Sequence, residues 1–233
     1  MLDIDKIHTY YGKSHILYDV SMEVNDGATV ALLGRNGVGK STTLKSVIGI
    51  SSPQEGSIRF KGEEIVGLRT HKICRLGVGY VPEERRIFPN ITVRQNFLIG
   101  LKPNQRVEDP WTIDAVCKYF PVLGKRADFK AGNLSGGEQQ MLSVGRTLMG
   151  NPQLLLIDEP TEGLAPFLKE MLMDMLGKTK ESGCAILLVE QNMDIALHLA
   201  ERAYVMAKGR VVFHGSSEEV RGNKEIRKKY LEV

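Results

Sequence analysis

The chain has 233 residues, 42 % of them hydrophobic, and its 31 Lys and Arg against 28 Asp and Glu leave a formal net charge of +3. That length and apolar content suit one large domain, or a core with an inserted subdomain, folding without disulfide or metal staples. So small a surplus gives no general basic surface for nucleic acid, although Arg85, Arg86 and Arg94 allow a local patch. Cys74, Cys117 and Cys184 are odd in number, far apart and free of metal-ligand spacing, which reads as incidental thiols in a reducing compartment. The opening MLDIDKIHTYYG carries Asp3 and Asp5 where a signal peptide needs a basic end, and no run approaches the roughly 18 apolar residues of a membrane span. The expectation is a soluble chain that meets a membrane only through a partner.

In chain order, LDIDKI, HILYDVSMEV and SIRF are β-branched and partly alternating, and read as antiparallel strands beside a core. TVALL (29 to 33) is a buried strand followed by a glycine loop and the helical TTLKSVIGI. From Pro82 to Gly150 strand signals fade. There TVRQNFLIGL and WTIDAVCKYF place apolar residues at helical spacing, Ile113, Val116, Cys117 and Phe120 for example, with Trp111 packing in this helical insertion. LLLI (154 to 157) and AILLV (185 to 189) are further short apolar runs followed by turns and helix-like sequence, the mark of a parallel sheet covered on both faces. AYVMAKGRVVF predicts a hairpin turning at Lys208 and Gly209, grouped with the antiparallel strands, and EIRKKYLEV a short solvated helix. The reading is an α/β phosphate-loop NTPase core with an antiparallel β subdomain and an inserted α-helical subdomain. Residues 1–82 and 151–233 form the core with its β subdomain, and residues 83–150 the helical part.

Gly34-Arg-Asn-Gly-Val-Gly39-Lys40-Ser41 has the form GxxxxGK[ST] between a predicted strand and a predicted helix. Glycines such as Gly34, Gly37 and Gly39 let the backbone curl so that successive N–H groups, with Asn36 and Thr42 alongside, face phosphate oxygens, and the helix adds its positive end. Lys40 supplies charge to the β and γ phosphates and Ser41 a hydroxyl for Mg²⁺. The loop alone does not separate a kinase, a GTPase and an ATPase motor. LLLIDEP adds Asp158 at a strand exit, where its carboxylate can hold that Mg²⁺, and Glu159, placed to orient and deprotonate an attacking water.

In LSGGEQQMLSVGRTLM, Ser135 and Glu138 have the spacing of a capping box, and Met141, Leu142, Gly145, Leu148 and Met149 mark one helical face. A cap does not explain two consecutive glycines, Gly136 and Gly137, each costing about 1 kcal/mol inside a helix. Backbone approaching a ligand does. Since the chain's own loop surrounds one face of a nucleotide, this second donor set best serves the γ-phosphate of an ATP held by another subunit.

GRNGVGKST, LSGGEQQ and LLLIDEP, in that order and at these separations, resemble the ATP-binding cassette (ABC) family over essentially the whole chain. The resemblance implies ATP and Mg²⁺ as cofactors, a dimer that sandwiches two ATP, and Tyr11 stacking on adenine. Where the family usually has a glutamine that senses Mg²⁺ and γ-phosphate this chain has Glu83, and where it has a switch histidine this chain has Gln191. Ala165 stands in place of a common aspartate. YVPEERRIFPNITVRQN, DEPTEGLAP and LLVEQN are similar to the smaller ATPase of branched-chain amino acid importers, and DEPTEG also to urea and short-amide importers. The implied partners are a second ATPase subunit, two permeases and a periplasmic or extracellular binding protein, with a seat on the cytoplasmic face of the membrane. By position, Arg85, Arg86, Ile87 and Phe88 would flank the groove that receives a permease helix. A nucleotide-gated clamp with little turnover is the alternative, and the intact Glu159 argues against it.

Overall fold

The computed structural model describes residues 1–102 and 110–231. Its strands are β1 (Leu2–Tyr11), β2 (Ser14–Val24), β3 (Thr29–Leu33), β4 (Glu55–Phe60), β5 (Glu63–Glu64), β6 (Val78–Val81), β7 (Leu154–Asp158), β8 (Ala185–Glu190), β9 (Arg202–Ala207) and β10 (Arg210–Ser216). They form a four-stranded sheet in the order β2-β1-β4-β5 and a six-stranded sheet in the order β10-β9-β3-β8-β7-β6. The smaller sheet is antiparallel throughout. In the larger, every pair is parallel except β9 with β10. The helices are α1 (Lys40–Val47), α2 (Thr70–Leu76), α3 (Val93–Gly100), α4 (Ile113–Tyr119), α5 (Pro121–Lys125), α6 (Gly136–Leu148), α7 (Pro166–Glu181), α8 (Met193–Leu199), α9 (Ser217–Gly222) and α10 (Lys224–Ile226).

The core strands are apolar at successive residues because both faces of their sheet are covered, and each strand divides its side chains between two cores. Ala31, Leu33, Leu155, Ile157, Ile186 and Leu188 face the helices. Val30, Leu32, Leu154, Leu156, Leu187 and Val189 face α1 and the antiparallel sheet. The helix-side core runs on without a break into the stretch between 83 and 150, through Phe97, Trp111, Val116, Phe120, Met141, Leu142 and Leu148. Among the described residues of that stretch no strand forms, only an isolated bridge between Thr92 and Lys130. Trp111 is 8 % exposed, its ring 5.8 Å from that of Tyr119. Gly145 lets α6 approach its neighbours, since a Cβ there would fall 2.7 Å from Val116 Cγ1 and 2.8 Å from Phe97 Cε1.

Two sequence expectations need correction, and one strand is added to them. The hairpin turning at Lys208 and Gly209 forms, but it belongs to the larger sheet, where β9 pairs in parallel with β3 instead of joining the antiparallel strands. A β-branched hairpin reads the same in either sheet, and only the pairing partner decides. The edge strand β6 (VGYV) was not anticipated, because a four-residue run with a central glycine carries little periodicity. The C-terminal helical segment, α10 continued by a π-helical stretch over Arg227–Leu231, is not fully solvated: Ile226, Tyr230 and Leu231 pack against the helix-side core.

The β9–β10 turn also fastens the two sheets together. Lys208 (φ 48) and Gly209 (φ 76) are both left-handed, as a two-residue turn of right-handed twist demands, and the Gly209 carbonyl accepts a 2.8 Å bond from Tyr18 N–H in β2. A Cβ at Gly209 would collide with the Ile16 carbonyl oxygen. Gly209→Ala combines φ strain with overpacking against rigid backbone, and is expected to lower stability by about 2 to 4 kcal/mol, read as a lower urea midpoint with an unchanged slope.

Candidate functional site

The site is built at the C-terminal ends of the parallel strands, where β3 and β7 flank β8 and the chain leaves the sheet. After β3 the loop from Gly34 to Gly39 turns into α1. Gly39 is the N-cap at φ 112 with no side-chain cap, and the first turn carries no acid, so α1 itself supplies nothing to offset the positive end of these amides. A Cβ at Gly39 would fall 2.7 Å from Leu17 Cδ2, so glycine is also what lets β2 close over the loop. Lys40 is 4 % exposed, and its Nζ donates to the carbonyls of Gly34 (2.8 Å) and Arg35 (3.1 Å).

Two bonds cross from this loop to the exit of β7. Lys40 Nζ pairs with Glu159 Oε1 at 3.0 Å, and Ser41 Oγ donates to Asp158 Oδ1 at 3.1 Å. Beside them opens a cavity of about 430 Å³. It is lined by Asn36, Gly37, Gly39, Lys40, Ser41 and Thr42 together with Tyr11, Glu83 and Glu159. Tyr11 is 45 % exposed and its hydroxyl accepts from Ser51 Oγ at 3.4 Å, which leaves an aromatic face open to a planar ring. The chain thus brings most of the sequence-selected positions to one cavity, from β1, the loop, α1, the segment after β6 and the end of β7.

Asp158 and Glu159 lie side by side in a poorly solvated place, with the exposed Glu83 at its edge. Burial, partly countered by the Ser41 hydrogen bond and reinforced by Glu159 and Glu83, pushes Asp158 up to about 6. Burial, with Glu159, Glu162 and Glu84 nearby, raises Glu83 as well. Among the described residues no three His, Cys, Asp or Glu side chains gather to hold a metal by themselves. A hydroxyl and one or two hard carboxylates beside a phosphate cradle suit Mg²⁺, which takes much of its coordination from phosphate and water, and a cation there would relieve the repulsion.

Other selected residues lie apart from this cavity. Gln191 is exposed just beyond β8 and is not among the cavity's lining residues. Ser135, Gly136, Gly137 and Glu138 form the head of α6, also away from it. The capping box is present: Ser135 Oγ accepts from Glu138 N–H (3.3 Å), and Glu138 Oε2 accepts from Ser135 N–H (2.8 Å) and from Arg126 (3.1 Å). Neighbouring side chains crowd both glycines, at Gly136 only with the end of a long arginine. A Cβ at Gly136 would collide with Arg85 Nη1, and one at Gly137 would fall 2.5 Å from Leu168 Cδ1. Arg85 therefore lies against the head of α6, while Phe88, 47 % exposed, sits 5.1 Å below the Arg146 guanidinium.

Two buried polar residues beside the site, Thr161 and Glu190, were passed over in the sequence. Glu190 Oε1 accepts from Thr161 Oγ1 (2.8 Å) and Thr161 N–H (3.2 Å). The available signal was a glutamate ending an otherwise apolar strand, AILLVE.

Asp158 holds its proton more tightly in the folded chain than in an unfolded one, so ionising it opposes folding. That penalty is absent below the unfolded value, grows as pH rises through about 6, and is constant above it. Asp158→Asn, which keeps an acceptor for Ser41, is expected to raise the stability of the nucleotide-free protein at pH 8 by about 1 to 3 kcal/mol, and to leave it nearly unchanged at pH 4. Denaturant unfolding at the two pH values checks this.

Residues 17–162 match the ABC transporter family. The chain is 44 % identical over 231 residues to a high-affinity branched-chain amino acid transport ATP-binding protein, BraG, of Pseudomonas aeruginosa, covering 99 % of each. It is 37 % identical to a probable branched-chain amino acid transport ATP-binding protein, LivF, of Archaeoglobus fulgidus, covering 98 % of this chain and 97 % of that one. A solved ATP-binding cassette of an ABC transporter in its ADP conformation superimposes with a TM-score of 0.81 at 26 % identity, over 98 % of this chain and 97 % of its own. With a phosphate loop bonded to an Asp-Glu strand exit beside one cavity, and matches that run the length of the chain, this protein belongs to the ABC transporter family as an ATP-binding, ATP-hydrolysing subunit.

Proposed function

We propose that this chain is the motor subunit of an importer for branched-chain amino acids, seated on the cytoplasmic face of the membrane. In this reading it works with a second ATPase subunit, two permeases and a periplasmic or extracellular binding protein. The cargo reading is supported by the two transport ATPases that resemble it over nearly their whole length, and by Glu83, Gln191 and Ala165, the departures from the general family pattern. Among the described residues no helix is long and apolar enough to cross a membrane, so translocation falls to partners.

The observation that carries the catalytic reading is the convergence of Tyr11, Lys40, Ser41, Glu83 and Glu159 on one cavity. Tyr11 stacks on adenine, the loop amides and Lys40 take the phosphates, and Ser41, Asp158 and Glu83 hold Mg²⁺, which supplies charge neutralisation on the phosphate oxygens. Lys40 has Glu159 as its partner in this structure. Phosphate oxygens arriving at Lys40 displace that carboxylate, and Glu159 then turns to the attacking water as general base. Ser135, Gly136 and Gly137 of a partner subunit complete the γ-phosphate site from the head of α6, with Gln191 approaching from β8. Glu138 contributes by fixing that helix start through its bonds to Ser135 and Arg126.

Glu159→Gln removes both the base and the competing charge on Lys40. It is expected to bind ATP at least as tightly as the parent while hydrolysis falls by about 10² to 10⁴. Parental turnover in this variant would remove Glu159 from the mechanism. For the cargo, uptake of labelled leucine by cells lacking this chain is expected to fall and to return on complementation; uptake unchanged by the deletion would redirect the reading to another amide or amino acid.

A further inference from the structure

Glu159 sits at φ 42, in the left-handed region that a residue with a side chain keeps only where its surroundings over-determine it. The surroundings that do so come from β8. Glu159 N–H donates to the Val189 carbonyl at 2.9 Å. Two residues further on, Thr161 N–H and Oγ1 both donate to Glu190 Oε1, at 3.2 and 2.8 Å. Glu190 also accepts from the backbone of Asn192, whose Oδ1 in turn caps α8 by accepting from Asp194 N–H (3.0 Å) and Ile195 N–H (3.2 Å).

Thr161 and Glu190 are each 3 % exposed. A carboxylate at the end of a strand buried on both faces is costly where an apolar side chain would pack, and only its donors offset the lost hydration. Those donors are on the turn that carries Glu159 and on the backbone that carries Gln191.

From this geometry we infer that Glu190 is a positioning residue for ATP hydrolysis. Through Thr161 it fixes the turn that aims Glu159 at the water, and through Asn192 it fixes the backbone that presents Gln191. One buried carboxylate therefore keeps the base and the residue opposite it in register. The inference rests on Glu159 being the base.

The test is steady-state hydrolysis by the full chain of Thr161→Val, Thr161→Ser, Glu190→Gln and Glu159→Gln, with ATP binding and thermal unfolding measured on each. Thr161→Val keeps the shape and loses the hydroxyl donor. It is expected to lower kcat about ten- to a hundredfold while KM for ATP stays within about twofold, since a misaimed base affects the transition state and not nucleotide binding. Thr161→Ser restores the donor and is expected to recover at least about half of parental kcat. Glu190→Gln keeps the volume but turns an amide N–H₂ toward donors, and is expected to show the same kcat loss with binding retained. It also serves as the test if Thr161→Val does not fold. Combined with Thr161→Val it should lower kcat no further than Glu190→Gln alone, because the change at Glu190 already disturbs the Thr161 contact together with the Asn192 one.

Equal kcat for Thr161→Val and Thr161→Ser, losses that multiply in the double variant, or a fall in kcat matched by a rise in KM would overturn the positioning role. If Glu159→Gln instead hydrolyses at the parental rate, it is the assignment of the base that fails.

Discussion

Lys40 and Glu159 meet at 3.0 Å with both side chains almost removed from water, and each arrives from a different part of the chain. Lys40 opens α1 after β3, Glu159 follows β7, and β8 runs between those two strands. A buried pair of this kind is stable only if the backbone on both sides is held in place, because an unpaired charge there would lack water as well as a partner. The rest of the architecture meets that requirement. The sheet is covered on both faces so that its strand ends do not shift, the loop carbonyls of Gly34 and Arg35 share the ammonium, and Ser41 joins Asp158 alongside. In the mechanism we propose, the pair also sets the resting state of the site, since the lysine assigned to phosphate and the carboxylate assigned to the water are each other's partner.

Much of this was legible in the sequence because it is local. GRNGVGKST states its own geometry: glycines, a lysine and a hydroxyl in fixed register between a strand and a helix need no distant contact to be recognised. The runs TVALL, LLLI and AILLV announced strands buried on both faces, and Ser135 with Glu138 announced a capped helix that the structure contains. What stayed hidden was set by pairing across the fold. Nothing in AYVMAKGRVVF tells β9 to lie parallel to β3, and VGYV becomes a strand only because β7 offers it an edge.

The same limit applies to the site. Thr161 is one residue in a polar turn and Glu190 one residue at a strand end; they gain meaning only when the turn after β7 is laid against β8. The glycines at the head of α6 show the opposite difficulty. In the sequence they argue for backbone close to a phosphate, and in the folded chain Arg85 and Leu168 already occupy the space a Cβ would need. At Gly137 packing against Leu168 also favours glycine, while at Gly136 the end of the Arg85 side chain could move aside, so the glycine pair is only partly accounted for inside the chain.

The antiparallel sheet ends in a way that bears on what can attach to it. The outermost strand of the antiparallel sheet, β5, is two residues long, and both Glu63 and Glu64 are exposed carboxylates, while β1 and β2 pair through several register irregularities. So short and acidic a margin is a poor template for strand addition at that edge. That margin of the antiparallel sheet is thereby closed to main-chain pairing, and whatever meets it must do so through side chains.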